Sequence, residues 1–182
     1  MEVFQRLPTT NRVTLRLPNQ VLEILKGEAE KKDLTLNALV SKILFKNISF
    51  DLQVKAMPNI TIPPEIFIEF INKSDNSTIE EIAKNGPALV KKLFRILWLA
   101  FDLDNVINNY FEMVGKYCEW YKFSHQIKHN RYRLVFNTML GHKWAIFLSI
   151  YAKSILESLK IHLDEESVND GVIVFEFSKR TA

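Results

Sequence analysis

The chain has 182 residues, enough for one good core or for a small module plus a core domain, and its 47% hydrophobic and 25% charged content excludes disordered and fibrous classes. Its longest apolar runs, Ile96 to Phe101 and the serine-interrupted Trp144 to Ala152, are far shorter than the roughly 18 residues of a membrane span, so no membrane partner is expected. The formal charge of +3 lies entirely in residues 1–47, which hold eight basic and five acidic side chains and leave sixteen of each to the remainder; a basic front fits attraction to phosphate.

The first ten residues, MEVFQRLPTT, carry an acid, a base and a proline where a secretory signal needs a continuous apolar segment, so export is not expected. The single cysteine, Cys118, has no internal disulfide partner and suits a reducing compartment. A cytoplasmic protein is the expectation.

Residues 12–17 alternate strictly, which predicts a short strand with Val13, Leu15 and Leu17 on one face and Arg12, Thr14 and Arg16 on the other. Pro18 ends that strand and suits the first turn of a helix, which Val21, Leu22, Leu25 and Ala29 continue to about Lys32. Gly27 inside it costs about 1 kcal/mol relative to alanine, so packing must hold this helix. After a break at Asp33-Leu34, Thr35 is the N-cap of a second helix whose apolar stripe is Leu36, Leu39, Val40, Ile43 and Leu44, ending near Lys46.

A lone six-residue strand can neither satisfy its ladder hydrogen bonds nor cover Val13, Leu15 and Leu17. The simplest partner is the same strand of a second copy, paired antiparallel about a two-fold axis above the helices of both chains. Such a ribbon fits the major groove of B-form DNA, with arginine suited to guanine and threonine offering a hydroxyl and a methyl.

Residues 11–46 resemble the ribbon-helix-helix DNA-binding family of the methionine-repressor and Arc-repressor type. The alternating strand, Pro18, Val21/Leu22, Leu25 and Ala29, then Thr35, Asn37, Leu39 and Val40, carry the resemblance. It implies a homodimer on double-stranded DNA, with Arg12, Thr14 and Arg16 reading bases and Thr35, Leu36 and Asn37 clamping a phosphate, as a helix N-terminus does well. Two positions depart from the family: Asp33 stands where glycine is common, and Gly27 is unusual inside a helix. The alternative is an ordinary strand-helix-helix piece of one larger domain, its arginines facing water.

Farther along, Ile48 to Met57 alternates as a strand would, and Pro63-Pro64-Glu65 opens a short helix to about Asn72. Ser77 and Glu80 have capping-box spacing for the next helix, Gly86-Pro87 interrupts it, and a further piece runs from about Ala88 to Ala100. Thereafter a helix from about Asp104 to Trp120, strands near Tyr121 to Lys128 and Tyr132 to Thr138 about a turn at His129-Asn130, and a helix from about His142 to Leu159 are predicted. Strands near Lys160 to Leu163 and Val172 to Phe177 complete the chain. The order predicts an α+β fold, helices on one face of an antiparallel sheet, loosely like a ferredoxin-type sandwich. Three regions are expected: a DNA-binding module at 1–47, a strand and helical connecting region at 48–100, and an α+β domain at 101–182.

The larger part carries no P-loop, dinucleotide fingerprint, nucleophile elbow or metalloprotease helix, so no enzyme is expected. The stretch from Asn137 to Trp144, with the aromatic helix after it, resembles a region of uncharacterised archaeal proteins, which implies no activity. Cys118, His125, His129, His142 and His162 have soft-metal chemistry, and Cys118, His125 and His129 are the closest set. Their spacing matches no zinc or nickel pattern, so no metal or other cofactor is expected. Lys122, Lys128, Arg131 and Arg133 read as a solvated basic sheet face, Glu80-Glu81 and Glu165-Glu166 as exposed helix or loop positions, and Trp98, Trp120 and Trp144 as core.

The function expected is therefore a homodimeric, sequence-specific transcriptional regulator whose C-terminal domain oligomerises further or senses an unknown small-molecule effector. An antitoxin-type autorepressor, its C-terminal region binding a protein partner, is the alternative.

Overall fold

The computed structural model describes residues 13–52 and 61–179, and the chain divides into two compact units, Met1–Asn47 and Ile48–Ala182. In the first unit, helix α1 (Asn19–Lys31) starts at Pro18, whose carbonyl accepts from the Leu22 N–H at 3.1 Å. It ends in a left-handed cap: Asp33, at φ 51°, donates its N–H to Glu30 O at 3.1 Å, and Leu34 donates to Ala29 O at 2.9 Å. Asp33 thus adopts the conformation that glycine usually supplies. Helix α2 (Leu36–Lys46) starts at Thr35, whose Oγ1 accepts from the Ala38 N–H at 3.2 Å.

Among the described residues of this unit only Ala29 and Leu39 are buried apolar side chains, while Val13 is 76% and Leu15 53% exposed. Val13 to Leu17 form no strand in the single chain, because no described segment lies alongside to take the ladder bonds; Arg12 lies outside the described residues.

The second unit starts at Ile48 in helical conformation instead of a strand. Residues expected as the strand from Ile48 to Met57 are helical as far as Leu52, in a π-helical turn at Asn47–Asp51, and 53–57 lie outside the described residues. The turn is held by side chains that alternation does not describe. Ser49 Oγ lies 3.3 Å from Tyr117 Oη, and the Phe50 and Tyr117 rings are 4.9 Å apart.

Helices α3 (Pro64–Lys73), α4 (Asn76–Lys84) and α5 (Gly86–Ile96) follow. Pro64 sits in the first turn of α3, where a missing N–H costs nothing. At its other end Lys143 Nζ donates to Asn72 O at 2.9 Å and also to Ser74 O. The cap of α4 is Asp75, not Ser77: its carboxylate accepts from the Thr78 N–H at 2.9 Å and from the hydroxyls of Ser77 and Thr78. These bonds, the Ser77 hydroxyl foremost, hold the Asp75 carboxyl well below the ordinary carboxylate range.

Next comes a helical rod made of α6 (Leu103–Val106), a π-helical turn (Ile107–Phe111) and α7 (Glu112–Tyr117). Strands β1 (Lys122–Lys128) and β2 (Arg131–Asn137) form a hairpin, α8 (His142–Ser158) crosses over, and β3 (Glu165–Asn169) and β4 (Val172–Ser178) form a second hairpin. Both turns have positive φ at their two central residues, His129-Asn130 and Asp170-Gly171, which matches the twist of the flanking strands. At Gly171 a Cβ would also lie only 2.5 Å from Thr138 O.

The sheet order is β1-β2-β4-β3, antiparallel throughout. The α+β class is as expected. Helix-hairpin-helix-hairpin is not the β-α-β-β-α-β order of a ferredoxin-type sandwich, because α8 joins two complete hairpins instead of alternating with single strands. The expected strand from Lys160 to Leu163 is absent. Lys160, at φ 61°, caps α8 by donating its N–H to Glu157 O while Ile161 donates to Leu156 O, and the edge strand starts at Glu165.

Register places Tyr132 opposite Phe177, Leu134 opposite Phe175 and Phe136 opposite Ile173, all six buried on one face. Helix α8 lies beneath, buried from Trp144 to Leu156 on more than one side, because α4 and α5 pack against it as well. Residues 48–100, expected as a connecting region, put Ile71, Ile79, Ala83, Val90 and Phe94 into this same core.

Candidate nucleic-acid interface

The predicted site residues fall in the first unit. Thr14 and Arg16 are both exposed, and they lie two apart in a segment whose apolar neighbours Val13, Leu15 and Leu17 are exposed too. Arg12 lies outside the described residues. Thr35, Leu36 and Asn37 come together at the start of α2, where Thr35 spends its side chain on the Ala38 N–H.

The N–H groups of Leu36 and Asn37, in the first turn, have no carbonyl one turn earlier to bond. The first turn of α2 holds no acid, and the helix carries Lys42 and Lys46. Its N-terminus therefore presents unneutralised positive partial charge, the condition for holding a phosphate. On α1, Lys26 pairs with Glu23 and Lys31 with Glu28, each at 2.9 Å, so these lysines contribute less to the field. The Lys31 ammonium, by hydrogen bond and charge, lowers the Glu28 carboxyl below its usual range.

The second unit does not assemble the alternative sites. Arg131 and Arg133 both reach Glu176, at 3.5 and 3.0 Å, which offsets part of the charge at the centre of the basic hairpin. His125 faces the helices beside Phe123, with ring centres 5.7 Å apart, whereas His129 sits in the turn beyond the strand. The two histidines therefore do not share one side of a regular strand. Cys118, half-buried and without a disulfide, follows α7. Among the described residues no three of His, Cys, Asp and Glu converge as a metal would require.

Glu165 and Glu166 belong to β3, not to a helix or loop. Glu166 accepts from Ser149 at 2.8 Å and from Lys153 at 2.7 Å, tying the edge strand to α8, and this bond raises the Lys153 pKa.

Two features escaped the sequence reading. Tyr110, Tyr121 and Tyr151 gather in the core, Tyr110 and Tyr151 sharing a hydroxyl-hydroxyl hydrogen bond. Burial pushes the Tyr110 and Tyr121 phenols well above their usual range and Tyr151 up to about 12. These three come from separate elements, so no local spacing announces them. The second feature is Trp98, expected in the core but 95% exposed, while Trp144 is buried and donates Nε1–H to Trp120 O at 3.1 Å.

No helix among the described residues is long and apolar enough to cross a membrane. No family model, curated protein or solved structure matches the chain.

Proposed function

We propose that the chain is a homodimeric, sequence-specific transcriptional regulator of ribbon-helix-helix type. Two copies of residues 12–17 form a β-ribbon that enters the major groove of double-stranded DNA. Arg12, Thr14 and Arg16 are the base readers, and the α2 N-termini, at Thr35, Leu36 and Asn37, hold phosphates that fix the ribbon in register.

The observation that carries this reading is the open apolar face of the first unit. With only Ala29 and Leu39 buried among its described residues, Val13, Leu15, Leu17, Ile43 and Leu44 remain in water. Burying each such side chain is worth about 1.5–3 kcal/mol, so a second copy that covers them adds the core this unit lacks. The same pairing turns Thr14 and Arg16 to the opposite face, where a ligand can reach them.

A compact second unit with its own core favours a regulator with an effector-sensing or oligomerising domain over an antitoxin, whose toxin-binding region is ordinarily a flexible tail. The test is selection of duplex DNA from a random pool, comparing wild type with Arg12→Ala/Arg16→Ala across a range of salt. The expected result is a two-fold-related site and, in the variant, a loss of about 1–3 kcal/mol of discrimination per base contact. Weak binding without sequence preference by both proteins rejects the reading.

A further inference from the structure

We propose that the C-terminal end of α5 is a docking site for an acidic, apolar segment of a partner protein, with Trp98 as the anchor and Lys92 and Arg95 as the groups that meet its charge. Trp98 stands one residue past the helix cap, where its N–H donates to Arg95 O at 3.3 Å and the Leu99 N–H to Phe94 O at 2.9 Å. This cap demands left-handed backbone, and Trp98 has φ 55° where glycine is the usual residue.

Helices α1 and α8 end in the same way on Asp33 and Lys160, whose polar side chains sit well in water. At α5 the position carries the largest apolar side chain there is, 95% exposed. Both its conformation and its exposure work against the isolated fold, and a strained residue at the surface is a pointer to function.

The neighbouring charges specify the chemistry. Helix α5 contains Lys91, Lys92 and Arg95 and no acid. Lys91 lies over the Phe101 ring at 5.0 Å, whereas Lys92 and Arg95 are exposed and have no acidic partner among the described residues. Leu89 and Ile96, also exposed, share the helix face of Lys92. Tryptophan and arginine among exposed aliphatics are the residue types that dominate protein interfaces.

Other occupants fit less well. Recognition of anionic lipid uses clusters of about four to eight basic residues, and α5 offers three, one of them engaged with the Phe101 ring. A single-stranded nucleic acid wants successive stacking platforms along a basic groove, and Leu89 and Ile96 give phosphates nothing.

The experiment uses the full chain and a labelled synthetic peptide alternating aspartate with phenylalanine and leucine, alongside polyglutamate, an oligothymidine and phosphatidylserine vesicles. The peptide is expected to bind better than the other three, and Lys92→Glu/Arg95→Glu and Trp98→Gly are each expected to weaken it about tenfold or more. Trp98→Gly should at the same time raise Tm by about 2 °C, since glycine suits the cap. A lowered Tm with unchanged peptide binding makes Trp98 a structural prop and overturns the proposal. Trp98-dependent binding of the oligothymidine or vesicles in preference to the peptide, or no binding of any probe, overturns it as well.

Discussion

The two units differ in how far each closes its own core. The second surrounds α8 with a sheet on one side and helices on another, and it buries Leu134, Phe136, Ile173, Phe175 and Phe177 almost completely. The described residues of the first, two helices and an extended segment, bury only Ala29 and Leu39 among their apolar side chains. The lesson is that burial separates a part whose core is closed from a part whose apolar side chains still face water.

The largest effect that tests this contrast is expected from Phe175→Ala. Phe175 is fully buried between its cross-strand neighbours Leu134 and Glu166, so its loss should destabilise the second unit by about 3–5 kcal/mol at any protein concentration, read by denaturant unfolding. A loss that shrinks as concentration rises would break the contrast, because it would mean that this core also depends on a second copy.

A smaller effect is expected in the first unit. Removing the Thr35 cap with Thr35→Ala should cost about 1 kcal/mol of that unit's stability and leave the unfolding of the second unit where it was. Resolving the two units by site-specific hydrogen exchange checks both halves of that statement.

The smallest effect has the opposite sign. Asp33→Gly relieves a non-glycine residue at φ 51° and should stabilise the first unit by up to about 1 kcal/mol, visible as slower exchange in α1 and α2.

Much of the second unit was legible because its strands obey one rule. Tyr132, Leu134 and Phe136, and Ile173, Phe175 and Phe177, alternate cleanly, since one face meets α8 and the other meets water. Strand β3 was not legible because its inward residues are Glu166 and Val168, and a charged side chain there is intelligible only once Ser149 and Lys153 on α8 are seen to bond it. Ile161 and Leu163 supplied a decoy alternation in its place. Likewise Ile48 and Phe50 alternate like a strand but sit in a π-helical turn fixed by Tyr117, a residue far along the chain.

At the candidate interface local spacing located Thr35 as a cap, and the family resemblance marked Asp33 as standing where glycine is common, the position whose backbone is left-handed. Pairing of Val13 to Leu17 would need a partner strand, and none of the described residues supplies one. Trp98 was misread because exposure is set by the cap geometry of α5, whereas residue type alone points to the core.

The account's central claim is that the first unit completes its fold against a second copy, and hydrogen exchange at the backbone N–H groups of residues 13–17 tests it most directly. Protection of these amides at concentrations where the chain sediments as a dimer, lost on dilution while β2 and β4 stay protected, is the predicted result. Exchange at the unprotected rate in the sedimenting dimer, or equal protection in a monomer, would contradict it.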